Sequence, residues 1–382
     1  MALGSPKQRT RAELSRGWGK QEAGRVDWGL NPVDILELMS SSSFDPSAPA
    51  ARGGLYGLPS TPEEAQVVIV PVPWEATVSY GAGTAEGPAA VLQASRQVDL
   101  LDRETGRPYR GGIAMLPIPA EVRAWSDEAR RAAIPIIEAG GSGGSDAHKA
   151  AIAAVDALGE RMNGWVYEQT RRLMAGGKLV GVVGGDHSVP FGAIRAAAEA
   201  HPGMGILHLD AHADLRDAYE GFRWSHASIM FNVLRDLPAV ARIVQVGIRD
   251  YSDDEDVLMT ANSDRLVTFF DPDIRRQLFD GEAWSRITHR IAAALPREVY
   301  LSFDIDGLDP ALCPHTGAPV LGGLSFPEVS ALMRAVVETG RRIVGLDLCE
   351  IAPDPGGSEW DGNVGARVLY KQIGYALMSR SR

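Results

Sequence analysis

From Gln66 onward the chain alternates short apolar runs with longer stretches of helical periodicity, the pattern of a parallel sheet covered by helices. The strand-length runs are Val67 to Val72, Leu179 to Val183, Gly205 to Leu209, Ile243 to Ile248, Leu266 to Phe270, Val299 to Phe303 and Ile343 to Leu348. Helices are expected at Ala85 to Ser95, Ala147 to Met174, Phe191 to Ala200, Ala227 to Leu234, Trp284 to Ala294, Phe326 to Val337 and Val364 to Met378. The expected class is α/β, a three-layer α/β/α arrangement around a mostly parallel central sheet.

Residues 1–60 lack such periodicity and carry Ser40 to Ser43, Pro46, Pro49, Gly53 and Gly54, so they read as an irregular N-terminal arm. Within it Trp18, Trp28, Val33, Ile35, Leu36, Leu38 and Met39 are expected to pack on the body or on a neighbouring subunit. No internal repeat is evident, so residues 61–382 are read as one domain. The glycine-rich segment Glu138 to Ser145 is a flexible loop, since no strand leads it into the Gly-Lys-Ser or Gly-Lys-Thr ending of a phosphate loop.

A net charge of −11 disfavours nucleic acid phosphates and anionic membrane surfaces as partners and suits a cationic small molecule. Cys313 and Cys349 are the only cysteines, too few for a disulfide framework, and Met1 to Leu30 holds no apolar stretch of signal or membrane length. The cytoplasm is the expected compartment.

Polar clusters follow three of the expected strands, where α/β proteins place their sites. Leu179 to Val183 runs into Gly184-Gly185-Asp186-His187-Ser188, where two glycines permit a tight turn and close approach to an ion. Gly205 to Leu209 runs into Asp210-Ala211-His212-Ala213-Asp214, and continued extended backbone would set Asp210, His212 and Asp214 on one face. Val299 to Phe303 runs into Asp304-Ile305-Asp306-Gly307, with Asp304 and Asp306 sharing a face by the same period. Four carboxylates gathered without a cation would be electrostatically prohibitive. With His187 and His212 they exceed the needs of one tetrahedral zinc and suit two divalent ions, which hold an activated water between them.

The segments Gly184 to Ser188, Asp210 to Asp214 and Ser302 to Pro310 together resemble the metal-binding signatures of the ureohydrolase (arginase/agmatinase) family, over roughly Gln66 to the C-terminus. The resemblance implies an arginase-like fold, a catalytic domain over 61–382, and two ions, Mn2+ or Ni2+. It assigns His187, Asp210, Asp214 and Asp304 to one ion and His212, Asp210, Asp304 and Asp306 to the other. Glu350 resembles the glutamate that grips a guanidinium in a bidentate pair, and His226 the proton shuttle to the leaving amine. Asp214 joins these two in the catalytic set. His208, one step deeper on the strand, is expected behind the ligands, and His148, His201 and His289 on the surface or in loops. A homo-oligomer, trimer or hexamer, is also implied.

Arg216 and Asp217 stand where the arginase branch reads the amino-acid end of arginine, so the chain resembles the agmatinase-like branch instead. His315-Thr316-Gly317-Ala318-Pro319 departs from that branch's Gly-Thr-Gly-Thr-Pro, and Trp74 in the loop Pro73 to Gly81 adds bulk near the site. With Thr77, Trp224, His226 and Glu350, these residues are expected to surround a small guanidino substrate. The departures, together with the long N-terminal arm, resemble the guanidine hydrolase branch, which makes free guanidine the first substrate expected and agmatine or 4-guanidinobutyrate the alternative. A non-catalytic relative would lack a ligand, and a deacetylase of similar architecture would hold a single zinc.

Overall fold

The computed structural model describes residues 44–50, 53–141 and 144–381. Its strands are β1 (Val67–Val72), β2 (Ile113–Met115), β3 (Leu179–Gly184), β4 (Gly205–Leu209), β5 (Arg242–Ile248), β6 (Leu266–Phe270), β7 (Glu298–Phe303) and β8 (Arg342–Leu348). They form one sheet in the order β2-β1-β3-β8-β7-β4-β5-β6, and every neighbouring pair is parallel. All seven expected strands are present to within one residue at either end. Every residue of β1, β3 and β4 is buried, as the unbroken apolar runs require of strands covered on both faces. Each fully buried valine, leucine or isoleucine there contributes about 1.5–3 kcal/mol.

One helical layer is built from Ala120–Glu138, Asp146–Ala175 and Phe191–Ala200, which pack in succession and cover β1, β3 and β8. The other contains Gly87–Ala94, Phe326–Glu338 and Trp360–Arg380, and the last of these lies along β8. Four elements escape the periodicity reading, Asp271–Phe279 among them, and three of these do so for identifiable physical reasons. Ala120–Glu138 carries Pro135 inside it, a residue that reads in sequence as a helix break. Asp253–Ala261 buries only Glu255 and Met259, although Ser252 and Glu255 form a capping box that marks its start. β2 is a three-residue edge strand, too short to show a period.

Trp18, Trp28, Val33, Ile35, Leu36, Leu38 and Met39 lie outside the described residues, as do two positions of the glycine-rich loop. Within the expected arm, Leu55–Gly57 forms a buried turn, and the Tyr56 hydroxyl donates to the Ala366 carbonyl at 2.9 Å. Among the described residues no helix is long and apolar enough to cross a membrane.

The strand order also positions the site. After β3 the chain passes to β4 on the far side of a gap that β7 and β8 later fill. The carboxyl ends of β3, β8, β7 and β4 therefore stand side by side at the crevice where open parallel sheets bind ligands.

Candidate metal centre

β3 ends in a turn that only glycine permits, because a Cβ on Gly185 would lie 1.7 Å from the Trp74 carbonyl oxygen. The turn aims His187 inward, and its Nδ1 lies 3.1 Å from Asp210 Oδ2, 3.0 Å from Asp214 Oδ2 and 3.5 Å from Asp304 Oδ2. His187 Nε2 sits 3.1 Å from the Ser302 hydroxyl, which donates to Asp347. This fixes the ring from behind.

The other histidine forms a second group. His212 Nδ1 is 3.0 Å from Asp306 Oδ2 and 3.6 Å from Asp210 Oδ1. Asp210 thus turns one oxygen toward each histidine, while His208 Nε2 supports its Oδ2 at 2.8 Å. His208 in turn meets the Gln245 side chain at 3.0 Å.

The six expected ligand residues converge, but not by strand alternation. β4 stops at Leu209, and Asp214 reaches the site with φ of 55°. β7 stops at Phe303, and Ile305–Gly307 is a 3-10 turn whose N-cap is Asp304, with its carboxylate accepting from the Asp306 amide. Glu350, just past β8, has φ of 63°. Non-glycine residues held in this left-handed region carry strain of about 1–3 kcal/mol each, a cost that clusters at functional sites.

Burial and the charges of Asp306 and Asp210 push the Asp304 carboxyl well above the carboxylate range. Burial and Asp210 push Asp214 up to about 7. Asp210 moves the other way: burial would raise it, but His208, His187 and His212 outweigh that and hold it well below the usual value. Four carboxylates in so small a volume need positive charge to ionise together, and their oxygens with two imidazoles are a donor set that two divalent ions fit.

Glu350 is locked at one end and open at the other. Its amide donates to the Gly185 carbonyl at 2.8 Å and its Oε1 accepts from the His187 amide at 2.9 Å, while Oε2 is buried without a partner. Burial and the nearby Asp186 push the carboxyl up, so a bound cation would restore its charge. Gly317 packs against it, since a Cβ there would meet Oε2 at 2.6 Å.

A cavity of about 190 Å³ opens over these groups, walled by His187, His212, Asp214, His226, Asp304, Asp306, Gly317, Ala318 and Glu350. Its outer wall adds Val78, Ser79, Tyr80, Arg216, Tyr219, Asp250 and Glu255. His226 Nδ1 lies 3.2 Å from the Thr77 hydroxyl. Burial, then the neighbouring His212 and His187, push the His226 imidazole down to about 4.

Four expected substrate contacts do not line the cavity. Trp74 is 1% exposed and lies in the core, the place its large apolar ring favours. Trp224 is buried edge-on against Phe191 with their ring centres 4.8 Å apart. His315 turns to Asp361, its amide donating at 3.1 Å and its Nδ1 lying at 2.9 Å, so only its neighbours Gly317 and Ala318 reach the cavity. Thr77 is likewise buried and touches the site only through His226. The sequence reading missed Tyr219, Asp250 and Glu255. Asp250 follows the carboxyl end of β5 and Glu255 completes the Ser252 capping box, two signals that would have placed them.

A match to the Arginase family spans residues 65–374. The N(1)-aminopropylagmatine ureohydrolase of Thermus thermophilus is 33% identical over 324 residues, covering 84% of this chain and 94% of that protein. The proclavaminate amidinohydrolase of Streptomyces clavuligerus is 37% identical over 208 residues, 53% of this chain and 63% of that one. In fold, the crystal structure of agmatine ureohydrolase of Thermoplasma volcanium superposes with a TM-score of 0.63 at 22% identity, covering 91% of this chain and 99% of that one. An all-parallel sheet, a buried histidine and aspartate cluster at its carboxyl edge, and a family match over most of the sequence agree: this chain belongs to the arginase family of ureohydrolases, hydrolases that act on guanidino C–N bonds.

Proposed function

We propose that this protein hydrolyses the guanidinium C–N bond of a guanidino compound that carries a tail, releasing urea and the corresponding amine. Glu350 is the observation that carries the reading: a buried carboxylate oxygen without a partner, facing the cavity, is the acceptor a guanidinium needs. His187, Asp210, Asp214 and Asp304 would hold one divalent ion and His212, Asp210, Asp304 and Asp306 the other, with manganese and nickel both suited to these donors. When bound, the ion pair supplies an acidified water as nucleophile and positive charge against the charge that develops on attack.

The chain's own residues do the rest. Glu350 fixes the plane of the guanidinium, and Asp214 is placed to hold the proton that the attacking water gives up. His226, which burial holds below the usual imidazole range and so neutral at pH 7, collects a proton and passes it to the departing nitrogen. His226→Ala is expected to lower kcat by about 10²–10⁴-fold with the metal content unchanged, and added imidazole should restore part of the rate. A variant turning over at the wild-type rate would remove the shuttle.

A tail is favoured by the outer wall and by the relatives rather than by volume, because the ions and the attacking water would take up much of the 190 Å³ beside the ligands. Free guanidine, the first expectation from sequence, rests on Trp74, His315, Ala318 and the long N-terminal arm; of the three named residues only Ala318 lines the cavity. The relatives named for aminopropylagmatine and agmatine favour an amine tail. A carboxylate tail is the second reading, favoured by Arg216: its Nε is 3.3 Å from Glu255, and among the described residues no acceptor takes its terminal nitrogens. A trimer or hexamer in the cytoplasm belongs to the same proposal.

Urea release from agmatine, N(1)-aminopropylagmatine, 4-guanidinobutyrate and guanidine, with manganese- and nickel-loaded enzyme compared, tests it. A tailed substrate should exceed guanidine in kcat/KM by more than about tenfold. The reverse order would reinstate free guanidine.

A further inference from the structure

Arg249, just beyond β5, spends its guanidinium entirely on main-chain carbonyls. Nη2 donates to Asp306 at 2.7 Å, Val320 at 2.9 Å and Leu308 at 3.2 Å, Nη1 to Gly247 at 3.0 Å and Nε to Val320 at 3.3 Å. A planar fork of donors thus joins three segments: the end of β5, the turn bearing Asp306, and the loop that continues from the Gly317–Ala318 cavity wall. Its own amide donates to the Ala211 carbonyl at 2.8 Å, which adds the segment bearing His212.

The opposite side of this staple is built to admit it. Gly322 and Gly323 have φ of 99° and 91°, and a Cβ on Gly323 would lie 2.5 Å from the Leu308 carbonyl and 2.9 Å from Arg249 Nη2. Arg275 closes the loop from beyond, donating to the Gly323 carbonyl at 2.6 Å.

The contacts are one-sided. The Ala211 amide donates to Asp306 Oδ1 at 3.0 Å, so the fixed turn and the His212 segment also hold each other. His187, in contrast, is fixed by Ser302 and by its backbone contact with Glu350, and Asp210 Oδ2 by His208, none of which Arg249 touches. We infer that Arg249 is a positioning residue for the His212–Asp306 half of the metal centre, setting the affinity of one ion while leaving the other alone. The inference rests on the two-ion reading above.

The test is calorimetric titration of Mn2+ into the metal-stripped full-length chain. Arg249→Lys keeps the charge and loses the planar fork, which separates geometry from electrostatics. One of the two binding steps should weaken by about 10–100-fold and the other stay where it is. Gly323→Ala, which presses on the same staple from the far side, should reproduce the pattern, and it serves if the arginine variant does not fold. Both steps moving together, or neither moving while the melting temperature falls, would reduce Arg249 to a fold-stabilising residue. Uptake of a single ion by the unaltered chain would instead overturn the binuclear reading itself, a result visible before any variant is made.

Discussion

Asp210→Ala is expected to abolish retention of both ions and to lower kcat by at least about 10³-fold. The reason lies in its two oxygens. Oδ2 faces His187 at 3.1 Å and Oδ1 faces His212 at 3.6 Å, so a single carboxylate serves both halves of the centre. Removing it also leaves the buried His208 without its partner at 2.8 Å, which adds an uncompensated polar group to the loss. Elemental analysis after gel filtration, alongside urea release, measures both effects. A purified variant that still carries two ions and turns over within about tenfold of the unaltered protein would show that the ions sit elsewhere.

Glu350→Gln is expected to lower kcat/KM by about 10²–10³-fold while leaving both ions in place. The amide has nearly the shape of the carboxylate, so the contact with the His187 amide at 2.9 Å can persist through its oxygen. The charge facing the guanidinium is lost, and the free end then presents a donor to a donor. The matching loss of transition-state stabilisation is about 2.7–4 kcal/mol. Steady-state kinetics on the best tailed substrate decide the matter. An unchanged kcat/KM would move the guanidinium to another acceptor, with Asp250 and Glu255 on the outer wall the remaining carboxylates.

Strands were legible because burial on both faces leaves an unbroken apolar run, as in Val67 to Val72, too short for a buried helix. The candidate ligands were legible for a related reason: histidine and aspartate directly behind such runs have few structural uses. Their convergence was reached through strand alternation, whereas the backbone achieves it by a left-handed Asp214 and a 3-10 turn at Ile305–Gly307. The residues come together as expected, but along a different backbone path. Side-chain direction was the least legible feature. Trp74 and His315 flank the cavity in sequence, yet one turns into the core and the other to Asp361, because apolar burial and a carboxylate partner decided their orientation. Ala120–Glu138 stayed hidden because Pro135 within it reads as a helix break.

The sheet order bears on how the protein comes into being. β7 and β8 are made late in synthesis, yet they occupy the middle of the sheet between β3 and β4. Until they emerge, the histidines behind β3 and β4 lack the strand ends that bring them Asp304, Asp306 and Glu350, so a nascent chain cannot present a finished trap for ions. On the two-ion reading, a complete site exists only once the centre of the sheet has closed, which takes pairings between strands far apart in sequence, the slow kind to form.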